Sequence, residues 1–298
     1  MTNSLHQTVL LDETLDLLDL RSGLKVFEGT AGDGGLTSRI SEYICPTGTL
    51  LVTDLDEISI IRTYEKVSRA NCQVIIKQEN FSRIKELALE AEITLLDRIV
   101  LDLGLSSTQI EQSGRGFSFM KDEPLQMTFK SNLESSDLTA SEIVNNWKEE
   151  SLTDIFWGYG GEHKAKAIAK AIVKERKKAK IESTSDLVGV VENVVGNMRG
   201  KIHPATKVFQ ALRIAVNDEL GALKKVLRDG WQLLAPLGRI VVVSFHELED
   251  REVKNFFKER NIDNSGQIIT TKPVVASRQE LSRNVRARSA KLRAIIKK

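Results

Sequence analysis

Within the first hundred residues, short runs of β-branched and other apolar residues alternate with segments of helical spacing, and this alternation narrows the possible folds more than any other feature. Residues 24–29 (LKVFEG), 49–56 (TLLVTDLD), the run CQVIIKQ and residues 97–104 (DRIVLDLG) read as buried strands. Between them, LTSRISEYI, ISIIRTYEKV and FSRIKELALEAEI repeat apolar residues three and four apart, as a helix lying on a core does. A parallel pair needs a long crossover, usually helical, so strands alternating with helices imply a parallel sheet covered on both faces. Strand signals return at residues 238–246 (GRIVVVSFH), and QIITTKPVV and SAKLRAIIKK are suited to close the sheet as an antiparallel pair.

The middle of the chain breaks this pattern. Residues 112–202 contain helix-like stretches and loops but no convincing apolar strand. In LTASEIVNNW, Thr139 stands three residues ahead of Glu142, the spacing of a capping box. GEHKAKAIAKAIVKERKKAK reads as a strongly basic amphipathic helix, and STSDLVGVVENVV as a further capped helix. The expected organisation is a doubly wound α/β domain from residues 1–111 and 203–298, with a helical domain, 112–202, inserted after the fourth strand.

A chain of 298 residues, 41% hydrophobic and 28% charged, has ample material for a core. No apolar run approaches the ~20 residues that a membrane span needs. The first nineteen residues carry Asp12, Glu13, Asp16 and Asp19 and no basic patch before an apolar stretch, unlike a targeting segment. Cys45 and Cys72 are expected as reduced thiols filling the core, which points to the cytoplasm. The net charge of +2 says nothing about nucleic acid, but its distribution does. Basic residues crowd 164–180, interrupted only by Glu175, and no acid follows Glu280 while Arg283, Arg286, Arg288, Lys291 and Arg293 do. Patches of this kind attract phosphate backbones.

The first strand-to-helix turn reads Glu28-Gly29-Thr30-Ala31-Gly32-Asp33-Gly34-Gly35. Its glycines let the backbone approach a ligand where a Cβ would collide. Asp54, near the end of the second strand, is placed to accept both hydroxyls of a ribose. Together they point to an adenosine-containing cofactor. A dinucleotide fingerprint needs a third glycine that Gly32-Asp33-Gly34-Gly35-Leu36-Thr37 lacks, and Asp33 puts negative charge where a pyrophosphate would lie. S-adenosyl-L-methionine carries a sulfonium and an ammonium instead, which suits the acids Glu28 and Asp33. The fourth strand ends Asp102-Leu103-Gly104-Leu105-Ser106-Ser107, and in doubly wound sheets reactions occur outside the strands' carboxyl ends. Asp102 and Ser106 are therefore candidate catalytic residues, acceptors able to hold an exocyclic amine in line with a methyl donor. The loop Arg115-Gly116-Phe117-Ser118-Phe119 sets two aromatics beside a cation, a candidate platform for an unpaired base.

At these residues the chain resembles the bacterial 16S rRNA cytosine-N4 methyltransferases of the RsmH/MraW type. The matching strings are HQTVLLDE, GDGG, DLGLSS, RGFSF, HPATKVFQALRI with VNDEL, VSFHELEDR and RARSAKLR, in the family's order and over nearly the whole chain. The resemblance implies a Rossmann-like class I methyltransferase domain with an inserted helical substrate domain. It implies S-adenosyl-L-methionine contacts from Gly34, Gly35, Leu36, Asp54, Phe81, Asp102 and Gln109, no metal, and methylation of a cytosine N4 in the decoding region of 16S rRNA in the small ribosomal subunit. Arg115, Phe117, Phe119, His203, His246, Arg286 and Arg288, within or beside matching strings, are candidates for contact with that RNA.

The chain departs from the family pattern at four places. Leu36 stands where the family has histidine, Glu247 where it has serine, and Val285 where it has proline. After RGFSF the family reads P-L-D-M-R-M-D, whereas this chain reads Pro124-Leu125-Gln126-Met127-Thr128-Phe129-Lys130. Beside an active rRNA cytosine-N4 methyltransferase, the alternatives are a methyltransferase for another RNA base or site, a non-catalytic ribosome-assembly factor that retains the fold, and, least in keeping with the strings, a nicotinamide dehydrogenase.

Overall fold

The structure, a computed structural model, describes residues 8–196 and 203–298, apart from the side chain of Ser107. His6 and Gln7 of the string HQTVLLDE, and residue 202 at the expected domain boundary, lie outside the described residues. In chain order the elements are α1 (Leu11–Leu18), β1 (Lys25–Glu28), α2 (Gly35–Ile44), β2 (Thr49–Asp54), α3 (Glu57–Val67), β3 (Gln73–Gln78), α4 (Ile84–Glu90), β4 (Leu96–Asp102), α5 (Ser107–Gln112), α6 (Ala140–Asn146), α7 (Glu149–Gly158), α8 (Ala165–Glu175), α9 (Thr184–Val195), α10 (Ala205–Asn217), α11 (Glu219–Leu233), β5 (Leu234–Ser244), α12 (Glu247–Ile262), β6 (Gly266–Ile268), α13 (Arg278–Arg283) and β7 (Lys291–Lys297). The chain divides into two compact units, Met1–Ser106 with Leu220–Lys298, and Ser107–Glu219.

The first unit holds a seven-stranded sheet in the order β3-β2-β1-β4-β5-β7-β6. Strands β1 to β5 run parallel and β7 is antiparallel to both its neighbours. This is the Rossmann-like class I methyltransferase arrangement expected above. Alternation along the strands divides the apolar residues between two faces, as a period of two requires. Val26, Leu50, Val52, Val100, Val241 and Val243 pack against Ile40 and Ile44 of α2 and Ile60 of α3. Phe27, Leu51, Ile99, Leu101 and Val242 face Leu87 of α4, Leu227 of α11 and Phe257 of α12. Each such fully buried side chain contributes roughly 1.5–3 kcal/mol relative to exposure. The chain leaves β1 for β2 on one side and β4 lies on the other, so the sheet's switch point falls beside the carboxyl end of β1.

One expectation is corrected here. Cys45 and Cys72 are joined in a disulfide, with Cα atoms 4.8 Å apart, rather than standing as free thiols. Cys45 follows α2 and Cys72 precedes β3, and both ends meet where Thr49 of β2 pairs with Gln73 of β3. A spacing of 27 residues in the sequence gave no sign of that approach.

The second unit is helical around its own core, which includes Ile143, Phe156, Ile168, Ile172, Leu187 and Leu212. Thr139 caps α6, its side chain accepting from the Glu142 N–H, and Ser183 caps α9 in a capping box with Asp186. The basic stretch forms α8, burying Ala165, Ile168, Ala169 and Ile172 and leaving Lys166, Lys170 and Lys174 exposed. The unit is longer than the 112–202 expected from sequence, because α10 belongs to it. Val208, Phe209 and Leu212 of α10 close the helical core, so that continuous packing moves the second boundary from 203 to Leu220 and the first to Ser107.

Candidate active site

The turn after β1 is stitched to its neighbours by short hydrogen bonds. Gly29 N–H donates to the Val100 carbonyl, Ala31 N–H to the Thr53 carbonyl and Gly34 N–H to the Ala31 carbonyl, at 3.0, 2.9 and 2.9 Å. Gly34 has φ 72° and a Cβ there would lie 2.9 Å from the Thr63 Cα, so both conformation and space demand glycine. Gly35 opens α2, which no side chain caps, and the first N–H groups of a helix have no partner within it. Leu36 sends its side chain into the core, at 3% exposure. Phe81 opens a short 3-10 helix after β3, Phe81–Arg83, which Asn80 caps, and its ring packs against the core face that contains Phe27 and Leu101.

Three carboxylates end the strands around the switch point. Asp54 Oδ2 accepts from Gly32 N–H and Oδ1 from Asp56 N–H, both at 2.9 Å, which fixes the carboxylate. Asp54 is half-buried, yet the loss of water around it raises its pKa to about 6, against the pull of those backbone donors. Asp102 ends β4, and its N–H donates to Thr30 Oγ1 at 2.8 Å. Its Oδ1 is buried and has no hydrogen-bond partner among the described residues. Burial first, then the charge of Glu249, push its pKa up to about 7.

Glu28 is fully buried, and neither of its carboxylate oxygens has a hydrogen-bond partner among the described residues. Burial holds its pKa well above the usual carboxylate range. The nearby Thr37 hydroxyl offsets part of that rise without closing a bond of normal geometry, and Asp102 and Asp54 add to it. Buried polar atoms are normally paired, so orphaned acids at the end of a sheet mark a place built for a cationic or hydrogen-donating guest. Asp33, the other acid of the turn, differs. Arg62 meets it at 2.7 Å, so its charge is taken up within the protein.

Glu249, which the sequence reading passed over, belongs to this cluster. It sits in the first turn of α12, where its Oε2 accepts from Phe245 N–H at 2.8 Å and His246 N–H at 3.2 Å. His246 is the N-cap, its Nδ1 accepting from Glu249 N–H at 3.3 Å, while Nε2 lies 3.1 Å from Glu249 Oε1. The three-residue spacing of His246 and Glu249 was the available signal, though histidine is not among the usual N-cap residues. Of the other residues singled out in this unit, Ser106 is buried at 8% exposure. Arg286 and Arg288 lie on a 3-10 helix, Val285–Ser289, with Arg288 exposed.

The remaining sequence candidates lie in the helical unit. Gln109, on α5, is buried. Arg115 is also buried rather than on an open loop, and its guanidinium donates to the Phe129 carbonyl at 2.7 Å and lies 5.5 Å from the Phe117 ring. Phe117 stacks on Phe129 at 5.9 Å, and Phe119 stacks on His203 at 4.6 Å and meets Phe209 edge-on. Both phenylalanines are half-buried. The divergent segment 124–130 is bound into this cluster. Met127 N–H donates to the Arg115 carbonyl at 2.7 Å, and Asn217 accepts from Phe129 N–H and donates to the Met127 carbonyl, both at 2.8 Å. Asn217, unmarked in the sequence reading except as part of VNDEL, is the bracket that holds the segment. Lys130 pairs with Asp137. Between α8 and α9 runs a groove of about 560 Å³, lined in part by Lys174, Lys178, Lys180, Ile181 and Asn193.

Comparison with known proteins gives these features a lineage. The chain is similar to the ribosomal RNA small subunit methyltransferase H of Desulfotalea psychrophila, 42% identical over 97% of each chain. It is likewise 41% identical to that of Thermomicrobium roseum, over 97% of this chain and 92% of the relative, and 42% identical to that of Maricaulis maris, over 98% and 91%. The model of the MraW methylase family matches residues 3–298, and the chain belongs to that family.

Proposed function

We propose that this protein transfers a methyl group from S-adenosyl-L-methionine to the N4 amine of a cytosine in the decoding region of 16S rRNA, acting in the cytoplasm on the small ribosomal subunit. Methyl transfer to ribosomal RNA is the activity that its relatives' names carry. The observation that bears most weight is Asp102, a carboxylate with an unpartnered buried oxygen at the carboxyl end of β4, beside the glycine turn.

The residues of the first unit fit the cofactor's chemistry. Orphaned acids suit a sulfonium and an ammonium, and the glycine turn suits a bulky adenosyl group. Asp54 would accept the ribose hydroxyls. Gly34, Gly35 and Leu36 would offer backbone groups, since the Leu36 side chain is committed to the core, and Phe81 would border the adenine. When bound, the cofactor supplies an electrophilic methyl group. An exocyclic amine is a poor nucleophile because its lone pair is delocalised into the ring, so the protein's task is alignment. Asp102, with Ser106 nearby in the same turn, would accept an amine N–H and hold the nitrogen in line, a contribution on the order of 7–11 kcal/mol when orientation is ideal.

RNA recognition falls to exposed cations and half-buried rings. Lys174, Lys178 and Lys180 along the α8–α9 groove would take phosphates, as would Arg288 in the other unit. Phe117 and Phe119 would present ring surface to a base, with Arg115 beside the Phe117 ring and His203 stacked on Phe119. The test is methyl transfer from radiolabelled S-adenosyl-L-methionine to small subunits from a strain lacking this gene, followed by nucleoside identification. Label in N4-methylcytidine is the expected result. Label in another nucleoside would move the target, and no label on any base would put a non-catalytic assembly role ahead.

A further inference from the structure

We infer that Trp157 is a stacking platform for an unpaired base of the RNA, in addition to the rings of Phe117 and Phe119, and that the strand runs from it along the lysines of α8. The inference rests on the reading of this protein as one that acts on ribosomal RNA, and it names a further contact for that RNA in the helical unit. The chain has three tryptophans. Trp231 is buried at 7% exposure and Trp147 is half-buried, whereas Trp157, near the end of α7, is 58% exposed. Tryptophan carries a large apolar ring and is highly buried on average, so one left open on a surface calls for a partner.

The backbone beneath Trp157 is fixed. Its neighbour Phe156 is fully buried in the helical core. The loop after α7 is tied back to the helix, Gly161 N–H donating to the Trp157 carbonyl at 2.9 Å and Glu162 N–H to the Phe156 carbonyl at 3.0 Å. Helix α10 holds the same loop. Lys207 Nζ donates to the Gly161 carbonyl at 2.9 Å and Gln210 Nε2 to the Tyr159 carbonyl at 3.1 Å. His163 meets the indole edge to face, with ring centroids 5.7 Å apart. At Gly158 and Gly161 a Cβ would meet no atom within 4 Å, so the loop next to the ring sends out no side chain to cover it at these positions. A ring already in place loses little freedom when a base stacks on it.

Charge decides which partner fits and which way it runs. An open indole alone suits an apolar segment of another protein as well as a base. His163, however, leads directly into α8, whose exposed side carries Lys166, Lys170 and Lys174. Successive members of this row are four residues apart, about 6 Å along the helix axis, a step like that between neighbouring phosphates of an unpaired strand. Glu162, the acid beside His163, is buried, and its Oε1 accepts from Lys164 N–H at 2.9 Å. On α7 the face shared with Trp157 carries the exposed acids Asp154 and Glu150, one and two turns back. These repel phosphates, so the strand leaves the indole towards α8 and not along α7. An aromatic face that takes any base, followed by cations that track the backbone, is how proteins hold single strands. A duplex brings the same phosphates but keeps its base faces covered.

The test reads the fluorescence of Trp157 in the full-length protein. A short single-stranded oligoribonucleotide should quench tryptophan emission, the duplex formed from the same strand should not, and the quench should vanish in Trp157→Phe, which keeps a ring and the fold. Trp157→Ala should weaken binding of the single strand on the order of tenfold, and Trp157→Phe by less. The slope of log affinity against log salt should stay as in the wild type for both variants, because a stacked base releases no counterions. A Trp157→Ala protein that binds the single strand as tightly as wild type would overturn the inference. So would a quench that is as strong with the duplex, or one that survives in Trp157→Phe, and the open ring would then fall to a protein partner. If the quench behaves as expected but the wild-type protein labels no base on small subunits, the functional reading fails and the platform stands.

Discussion

The two units of this protein handle buried polarity in opposite ways. In the sheet unit, acids sit at strand ends with oxygens unmatched, as Glu28 and Asp102 do. In the helical unit, polar groups are closed off. Arg115 bonds to the Phe129 carbonyl, Asn217 to Phe129 and Met127, and Asn145 both donates to the Ile181 carbonyl and accepts from its N–H. Unmatched groups cost stability and are kept where a ligand completes them, whereas matched groups fix one conformation. On the function proposed above, the contrast divides the labour: a cofactor would complete the sheet unit, and the lysines and rings of the helical unit would meet the RNA.

The comparison can be broken at several points. The largest effect is expected from Phe156→Ala, which empties a fully buried site in the helical core and should cost about 3–5 kcal/mol there. If each unit has its own core, calorimetry should show the helical unit melting earlier while the affinity for S-adenosyl-L-methionine holds. A single transition shifted as a whole would mean that the units share stability. Asp54→Ala should weaken cofactor binding by about 1.5–3 kcal/mol, the worth of a hydrogen bond to a charged group, in isothermal titration. Unchanged affinity in a folded variant would remove Asp54 from the ribose.

Smaller effects sharpen the contrast. Replacing Lys166, Lys170 and Lys174 with glutamine should leave cofactor binding alone and flatten the salt dependence of subunit binding, by about 0.7–0.9 in log–log slope per lost phosphate contact. An unaltered slope would make α8 a merely solvated face. The smallest effect concerns pH. The folded pKa of Asp102 is raised to about 7, so its contribution to stability is present below the unfolded value near 4 and is lost as pH rises through 7. Asp102→Asn should therefore raise the melting temperature of the cofactor-free protein by a few degrees at pH 8 and by clearly less at pH 5. Equal gains at both pH values would mean that ionisation of Asp102 is not the cause.

Much of the sheet unit was legible because its signals are local. Runs such as IVLDLG and RIVVVSF admit few structures besides strands, and an acid one residue from a strand's end falls at the sheet's carboxyl edge by geometry alone. The helical boundary was not legible. The stripe of Val208, Phe209 and Leu212 shows that α10 has an apolar face, but period alone does not say which core receives it. The same limit hid Glu249, whose carboxylate is bonded to the turn that precedes α12, and misplaced Arg115, whose glycine-flanked setting reads as an exposed loop although its guanidinium is bonded inside. The disulfide was lost for a similar reason, since approach of Cys45 and Cys72 follows from the β2–β3 register and from nothing near either residue.

The insertion of one unit within the other also bears on how the chain folds. Strand β5 must pair with β4 from Leu96↔Leu234 to Asp102↔Val243, across the whole helical unit. An unstructured loop of that length would carry a closure entropy that grows with the logarithm of its length. The helical unit removes much of this cost if it collapses first, because its contacts are largely between neighbours in sequence, such as α7 with α8 and α8 with α9. Its early formation would turn a long floppy connection into a short rigid one. On this account, the order of events in folding is written into the place where the insertion occurs, and substitutions in the helical core should slow closure of a sheet whose strands they never touch.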